Sequence, residues 1–401
     1  MTVGVVVTGV VGGRWRAEVS PRGAIRPLDG SRGLNWFVAA EDRWHDPAAD
    51  PTVRQEALGG TPVTVTRLRV PGGDVVQTIR SVPDGGGHTV VTFDNESQAA
   101  VAVVLDRRDL VAARLPAMGL PAGISIDGDP AVFPLAHGAR LEVALAHGGD
   151  SRPIDLSSLP DRDRVAAGWQ AQIAALGRVE LPPGRDGHGL ARAVSLARCQ
   201  LLLDGPVHPG DDPAAFLVGL DQLVRLDEEV DPWLGEVADA VAHLLRAAGD
   251  DETLSWSAHV GLGAARSLLQ SGDEVRALAD LDRGVAGRGA ADPPEVEALG
   301  DPSLVIALLE DRLARRTAEG VTILPHGFPE AWLGHPIEVH DLAVGPEARL
   351  SFAVRWHGER PAVLWEQRGS APLSSGADPS WSTTEPSGET LWAAPITGDL
   401  G

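Results

Sequence analysis

The run Asp227-Glu228-Glu229-Val230-Asp231-Pro232-Trp233 places a cluster of carboxylates beside an indole. Two carboxylates can share the cleavage of a glycosidic bond: one protonates the leaving oxygen, and the other activates water or attacks directly. The flat ring of a tryptophan offers an apolar face on which the CH-rich side of a sugar can lie. Glu330 lies in Pro325-His-Gly-Phe-Pro-Glu-Ala-Trp332, between a helical stretch and a later strand-rich one. A carboxylate at such a junction, close to His326 and Trp332, is placed to line a cleft. Glu228, Glu229 and Glu330 are therefore the candidate acid–base residues, with Trp233, Trp332 and His326 as candidate sugar contacts. Trp356 and His357, beside Arg355 at the tip of a hairpin, complete the set.

Each of these residues has a competing structural reading. Asp212-Pro213, Asp231-Pro232 and Asp301-Pro302 all precede apolar helical runs. An Asp N-cap with Pro at the first helical position is a common way to start a helix, so these three aspartates read as caps. Glu228 and Glu229 could simply form a solvated acidic loop. Glu366 reads as an ion-pair partner of Arg355 or Arg360 across strands. Trp356 and Trp365 face each other in the register read from the sequence, which suits core packing as well as sugar contact. With 11 Trp, 6 Phe and no Tyr, indoles must supply most of the aromatic packing.

The elements that would position these residues follow from hydrophobic periodicity. Up to about residue 150 the signals are short strands and turns. Thr61 to Val70 alternates and Val75 to Val82 follows; Thr89 to Phe93 and the apolar Ala99 to Leu105 continue the series. Gly123 to Ile126, Ala131 to Phe133 and Leu141 to Ala146 read as further strands, giving a sandwich of two antiparallel sheets. The period then lengthens: Leu190, Val194, Ala197 and Leu201 recur at helical spacing, as do Leu304, Leu308 and Leu309. Six or seven helices with short connections are expected between residues 161 and 320, packed as antiparallel hairpins. Leu350 to Glu366 alternates on both sides of Gly358 and reads as a β-hairpin. Beyond Gly369 a loose tail is expected, returning as a strand at Leu391 to Ala394.

Composition excludes several classes of function. The 401 residues carry 56 acidic against 34 basic side chains, a formal charge of −22, and every basic residue other than histidine is arginine. Phosphate backbones need a basic footprint, so no nucleic-acid partner is expected. No apolar run reaches membrane-spanning length, and the N-terminus lacks the basic region of a signal peptide, so a cytoplasmic location is expected. The single cysteine, Cys199, excludes an intramolecular disulfide and a multi-cysteine zinc site. Glu338 and His340 share a strand face but lack a third ligand, so no metal is expected. The Gly-Gly turns do not join a strand to a helix, and Ser195 lies on a helix face. Phosphate-loop and serine-elbow chemistry are thus unsupported, and no cofactor is expected.

The order of strands, helical hairpins and strands resembles the six-hairpin glycosidases, glucoamylase-like enzymes in particular. The likeness is carried by Arg67 to Gln77, Phe93-Asp-Asn-Glu-Ser97, Trp332-Leu-Gly334 and Arg355 to Glu366. The resemblance implies an N-terminal β-sandwich domain over residues 1–155, an α-helical hairpin domain over 156–320 and a C-terminal β segment over 321–401. The helical part would be a partial α/α toroid, with about half the helices of a complete one. The activity implied is hydrolysis of a glycosidic bond by a carboxylate pair. The alternative is a non-catalytic sugar-binding or protein-interaction relative, since fold likeness alone does not transmit function. An oligosaccharide is the expected partner. A homo-oligomer is expected if the missing hairpins come from another subunit.

Overall fold

The computed structural model describes residues 4–120, 126, 128–148, 154–317 and 320–395. The chain divides into two compact units, Met1–Ala171 and Gln172–Gly401.

The first unit is built of antiparallel sheets. Six strands pair in the order Val111–Ala112, Arg140–Ala146, His88–Asn95, Gly73–Val82, Thr64–Val70 and Arg54–Ala57. Four more pair in the order Ala131–Leu135, Val101–Leu105, Trp36–Ala39 and Trp44–His45. Val6–Gly9, Arg16–Val19 and Ile25–Pro27 form a third, smaller sheet. Val- and Thr-rich segments favour this pleated packing because β-branched side chains fit a half-buried surface. Gly73–Val82 and His88–Asn95 are buried along nearly their whole length, on both faces. Trp36 of the four-stranded sheet meets Phe93 of the six-stranded one, with ring centroids 5.4 Å apart. The antiparallel N-terminal sandwich expected from the sequence is therefore present. The strand expected at Gly123 to Ile126 falls largely outside the described residues.

A buried aspartate pins the loop at one end of the four-stranded sheet. The Asp50 side chain is only 1% exposed. Its Oδ1 accepts from the Thr52 hydroxyl at 2.6 Å and the Thr52 backbone N–H at 2.9 Å. Its Oδ2 accepts from Arg43 at 3.0 Å and lies 3.1 Å from His45 Nδ1. Burial alone would raise the Asp50 pKa, but these bonds hold it well below the usual carboxylate range. A depressed folded pKa adds stability that is present above the unfolded value of about 3.9 and lost as pH falls through the folded one. Asp50→Asn is accordingly expected to cost about 1–3 kcal/mol at neutral pH. That difference should begin to shrink as pH falls below about 3.9, where the unfolded wild-type chain takes up a proton that the folded carboxylate does not. Urea denaturation of both proteins from neutral pH to about pH 3 checks this; a difference that stays constant would contradict it.

The second unit holds helices α2 (Leu190–Asp204), α3 (Pro213–Val224), α4 (Leu234–Ala248), α5 (Trp256–Ser271), α6 (Val275–Val285) and α7 (Pro302–Leu313), while α1 (Arg162–Gln172) straddles the boundary between the units. α3 is the most buried, with every residue from Ala214 to Gln222 inside. Asp212 caps it, accepting from the N–H groups of Ala214 and Ala215. Asp301 caps α7 through Ser303. The third expected cap does not form: Asp231 opens a 3-10 turn that leads into α4, and its side chain takes no capping bond. Cys199 is fully buried on α2, and burial pushes its thiol up to about 12, so little reactive thiolate exists at neutral pH.

A five-stranded sheet covers the helices, in the order Arg178–Glu180, Ile337–Ala343, Arg349–His357, Arg360–Arg368 and Ser387–Leu391. Val194, Ala197 and Leu201 of α2 share one apolar core with Ile306, Leu309 and Leu313 of α7 and with Val339, Phe352, Val354 and Val363 of the sheet. The C-terminal hairpin forms around Gly358, whose φ of 63° suits a residue without Cβ. Its register differs from the sequence reading. Phe352 pairs with Trp365 and Trp356 with Pro361, so the two indoles lie on one face but are not opposite each other. Glu366 pairs with Ser351, and Arg355 reaches instead to Glu338 on the neighbouring strand. The last strand ends at Leu391, where it was expected to begin, and Trp392 turns inward to full burial. No described helix is long and apolar enough to cross a membrane.

Candidate functional site at the helix-to-sheet junction

The residues after α7 double back. Ala314–Arg316 pairs antiparallel with Val321–Ile323, which carries the chain back past the end of the helix. Leu324 then adopts φ 47° and Gly327 φ 74°, and the Gly327 N–H closes a turn on the Leu324 carbonyl at 2.8 Å. This tight reversal brings His326 against Asp311 of α7, one of the buried carboxylates of the unit.

Asp311 is the hub of a polar cluster. Its Oδ1 accepts from Arg315 Nε at 2.7 Å. Its Oδ2 accepts from Arg315 Nη2 at 2.9 Å and from the Trp256 indole N–H at 3.0 Å, and lies 3.1 Å from His326 Nε2. Burial would raise the Asp311 pKa, but the Arg315 hydrogen bonds and charge outweigh it and keep the carboxylate ionised. His259, from α5, is lowered by burial first and by the nearby Arg315 charge next. With its carboxylate held by a guanidinium and an indole, Asp311 is suited to orienting neighbours, not to donating a proton.

Aromatic side chains continue from this cluster. Phe328, two residues after His326, packs at 5.3 Å and 54° against Trp356. Its other ring neighbour is Trp392, at 6.4 Å. Trp392 meets Trp381 at 5.4 Å, and Trp381 meets Trp365 at 5.2 Å. Phe328 and Trp356 are half-buried, so each keeps part of its ring at the surface. The Trp356 indole N–H donates to the His335 carbonyl at 2.7 Å, which fixes the ring's orientation. His357 is exposed beside it on the hairpin.

The remaining sequence candidates divide clearly. Glu330 is exposed and opens the 3-10 turn Glu330–Trp332, two residues from Phe328. Trp332 is fully buried, and its indole N–H donates to the Asp186 carbonyl at 3.2 Å. Its ring therefore packs in the core and offers no wall to a ligand. Glu228 and Glu229 lie on the exposed loop between α3 and α4, following Asp227 at φ 71°. Trp233, on the same connection, is half-buried against Phe216 at 6.0 Å. The junction thus brings Phe328 against Trp356, with His326 and Glu330 two residues to either side of Phe328 in the chain, while Glu228, Glu229 and Trp233 belong to a different loop. Among the described residues, Glu228, Glu229 and Glu330 take no side-chain hydrogen bond or ion pair. No group of three His, Cys, Asp or Glu among the described residues is placed to hold a metal ion.

A second charged cluster, between α2, α3 and α7, was not anticipated. Glu310 Oε1 accepts from Arg198 at 2.9 Å and from Gln222 at 3.0 Å; its Oε2 accepts from Arg225 at 2.9 Å. Arg225 also pairs with Asp221 one turn earlier on α3. Burial raises the Asp221 pKa, and Glu310 adds to the shift against the opposing charge of Arg225. Burial likewise raises that of Glu310, but Arg225 and Arg198 reverse the sign and lower it. The adjoining cavity, lined by Arg198, Glu310, Gly177 and His340, measures about 10 Å³. That is room for one water molecule and no sugar. The sequence signal that could have found this cluster is charge on an apolar stripe: Asp221 follows Leu220, and Glu310 follows Leu308-Leu309.

No family model matches the sequence, and no curated protein matches it. Among solved structures, one described as "Putative kojibiose phosphorylase from human microbiome" aligns over 94% of this chain and 89% of its own, at 8% identity and a TM-score of 0.33.

Proposed function

We propose that this chain is a carbohydrate-binding protein of the glucoamylase-like, six-hairpin kind, and that it holds a sugar chain without cleaving it. The observation that carries this reading is the half-buried Phe328–Trp356 pair, with His326 two residues before Phe328 and Glu330 two residues after it. Ring faces give a sugar its apolar platform, and the imidazole and carboxylate give its hydroxyls polar partners. The binding-only part follows from the carboxylates. Hydrolysis needs two of them facing one bond, about 5–9.5 Å apart. Glu330 is the one carboxylate between Pro325 and His335, and Asp311 is committed to Arg315 and Trp256. Glu338 is likewise committed to Arg355.

The test combines calorimetric titration with chromatography of products, using α- and β-linked oligosaccharides and the purified full chain. Binding without product release is expected. Phe328→Ala and Trp356→Ala should each weaken the affinity about tenfold, or about 1.4 kcal/mol, with the fold intact by circular dichroism. Product release that vanishes in Glu330→Gln would replace this reading by hydrolysis with Glu330 as acid or base. An absence of binding across the panel would refute the carbohydrate reading.

A further inference from the structure

The contacts around His326 cannot all be hydrogen bonds at once, and counting hydrogens decides which are. His326 Nε2 lies 3.1 Å from Asp311 Oδ2 and 2.9 Å from Arg315 Nη2. A guanidinium only donates and a carboxylate only accepts, so one Nε2 cannot satisfy both in a single protonation state. Asp311 Oδ2 already receives the Trp256 indole N–H at 3.0 Å and one hydrogen of Arg315 Nη2 at 2.9 Å. Those two donors match its two lone pairs. Arg315 Nη2 carries a second hydrogen, and the acceptor within reach of it is His326 Nε2. With the imidazole proton on Nε2 instead, Oδ2 would take a third donor and two N–H groups would meet head-on at 2.9 Å.

We infer that Arg315 is a positioning residue that fixes His326 in the tautomer protonated on Nδ1, so that this site presents an N–H donor to its ligand. His326 Nδ1 makes no hydrogen bond among the described residues, and the side chain is 28% exposed. The groups bonded to His326 are themselves held in place. Asp311 of α7 anchors Arg315 through both carboxylate oxygens, and Trp256 of α5 fills the remaining lone pair of Oδ2. His259 of α5 is the other titratable group nearby, and its lowered pKa leaves it neutral around pH 7. The chemical consequence is selectivity for an acceptor on the sugar, such as a ring, glycosidic or hydroxyl oxygen. The donor role rests on the sugar-site reading above; the tautomer does not.

Two-bond ¹H–¹⁵N correlation on the full chain with ¹⁵N-labelled histidine tests this directly. It is recorded without ligand at about pH 8.5, two units above the ordinary histidine pKa, and His326→Gln supplies the assignment. The expected spectrum has an unprotonated Nε2 and a protonated Nδ1 for His326. Arg315→Gln should remove that preference and move the proton toward Nε2, facing Asp311. A protonated Nε2 in the wild-type protein would overturn the inference whatever the variant does. So would an Arg315→Gln spectrum that keeps the wild-type pattern. If maltotetraose and cellotetraose both fail to bind while the Nδ1 tautomer is found, the sugar reading fails and the Arg315–His326 arrangement stands.

Discussion

Glu310→Gln should destabilise the second unit by about 3–5 kcal/mol, the cost of removing one partner from a buried ion pair. The Glu310 side chain is 16% exposed and accepts from Arg198, Arg225 and Gln222. Glutamine keeps the volume but removes the negative charge, which leaves Arg198 buried with no carboxylate and Arg225 with Asp221 alone. The penalty comes from that uncompensated charge, not from lost packing. A double variant separates the two causes. Arg198→Met with Glu310→Met removes a cation and an anion together, and it should cost less than Glu310→Gln alone, because a buried pair repays its own desolvation poorly. Urea denaturation of the three proteins measures both numbers. A loss below about 1 kcal/mol for Glu310→Gln, the range of exposed pairs, would show that water reaches the cluster.

Trp332→Ala should cost a similar amount, about 3–5 kcal/mol, through the cavity left by a fully buried indole. The substitution also removes the indole N–H that donates to the Asp186 carbonyl. Trp332→Phe keeps most of the apolar volume and should leave sugar affinity within about twofold, whereas Trp356→Ala should lower that affinity with less effect on stability. Thermal unfolding read beside calorimetric titration gives both quantities for each variant. If Trp332→Phe lost sugar binding at unchanged stability, Trp332 would be a ligand contact after all and the core assignment would fail.

Much of the architecture was legible in local patterns. Alternation at period two marked the strand Thr64–Val70, strand-forming runs between Gly-rich turns marked Gly73–Val82 and His88–Asn95, and helical spacing marked α2 and α7. Asp212 and Asp301 announced their helices because an Asp before Pro satisfies the first free N–H groups locally. Asp231 carried the same signal and formed no cap, because the entry into α4 runs through a 3-10 turn that the dipeptide does not encode. The hairpin at Gly358 was visible, but its register was not. A two-residue turn between His357 and Arg360 sets Trp356 against Pro361, and that choice depends on the core beneath both strands.

The site was legible only in part. His326, Glu330 and Trp356 stood out as residue types, and the reversal after α7 places His326 and Phe328 beside partners far away in sequence. The sequence by itself determined the order of sheets and helices, the burial of Cys199 and the acidic charge balance, since each rests on composition or on a repeat within one element. Only the tertiary structure decided that Trp332 faces inward, that Asp311 is tied to Arg315 and Trp256, and that Glu310 sits between two arginines. Those outcomes depend on charged and aromatic side chains meeting across elements. Their energies are set by burial and by partners that no local window contains.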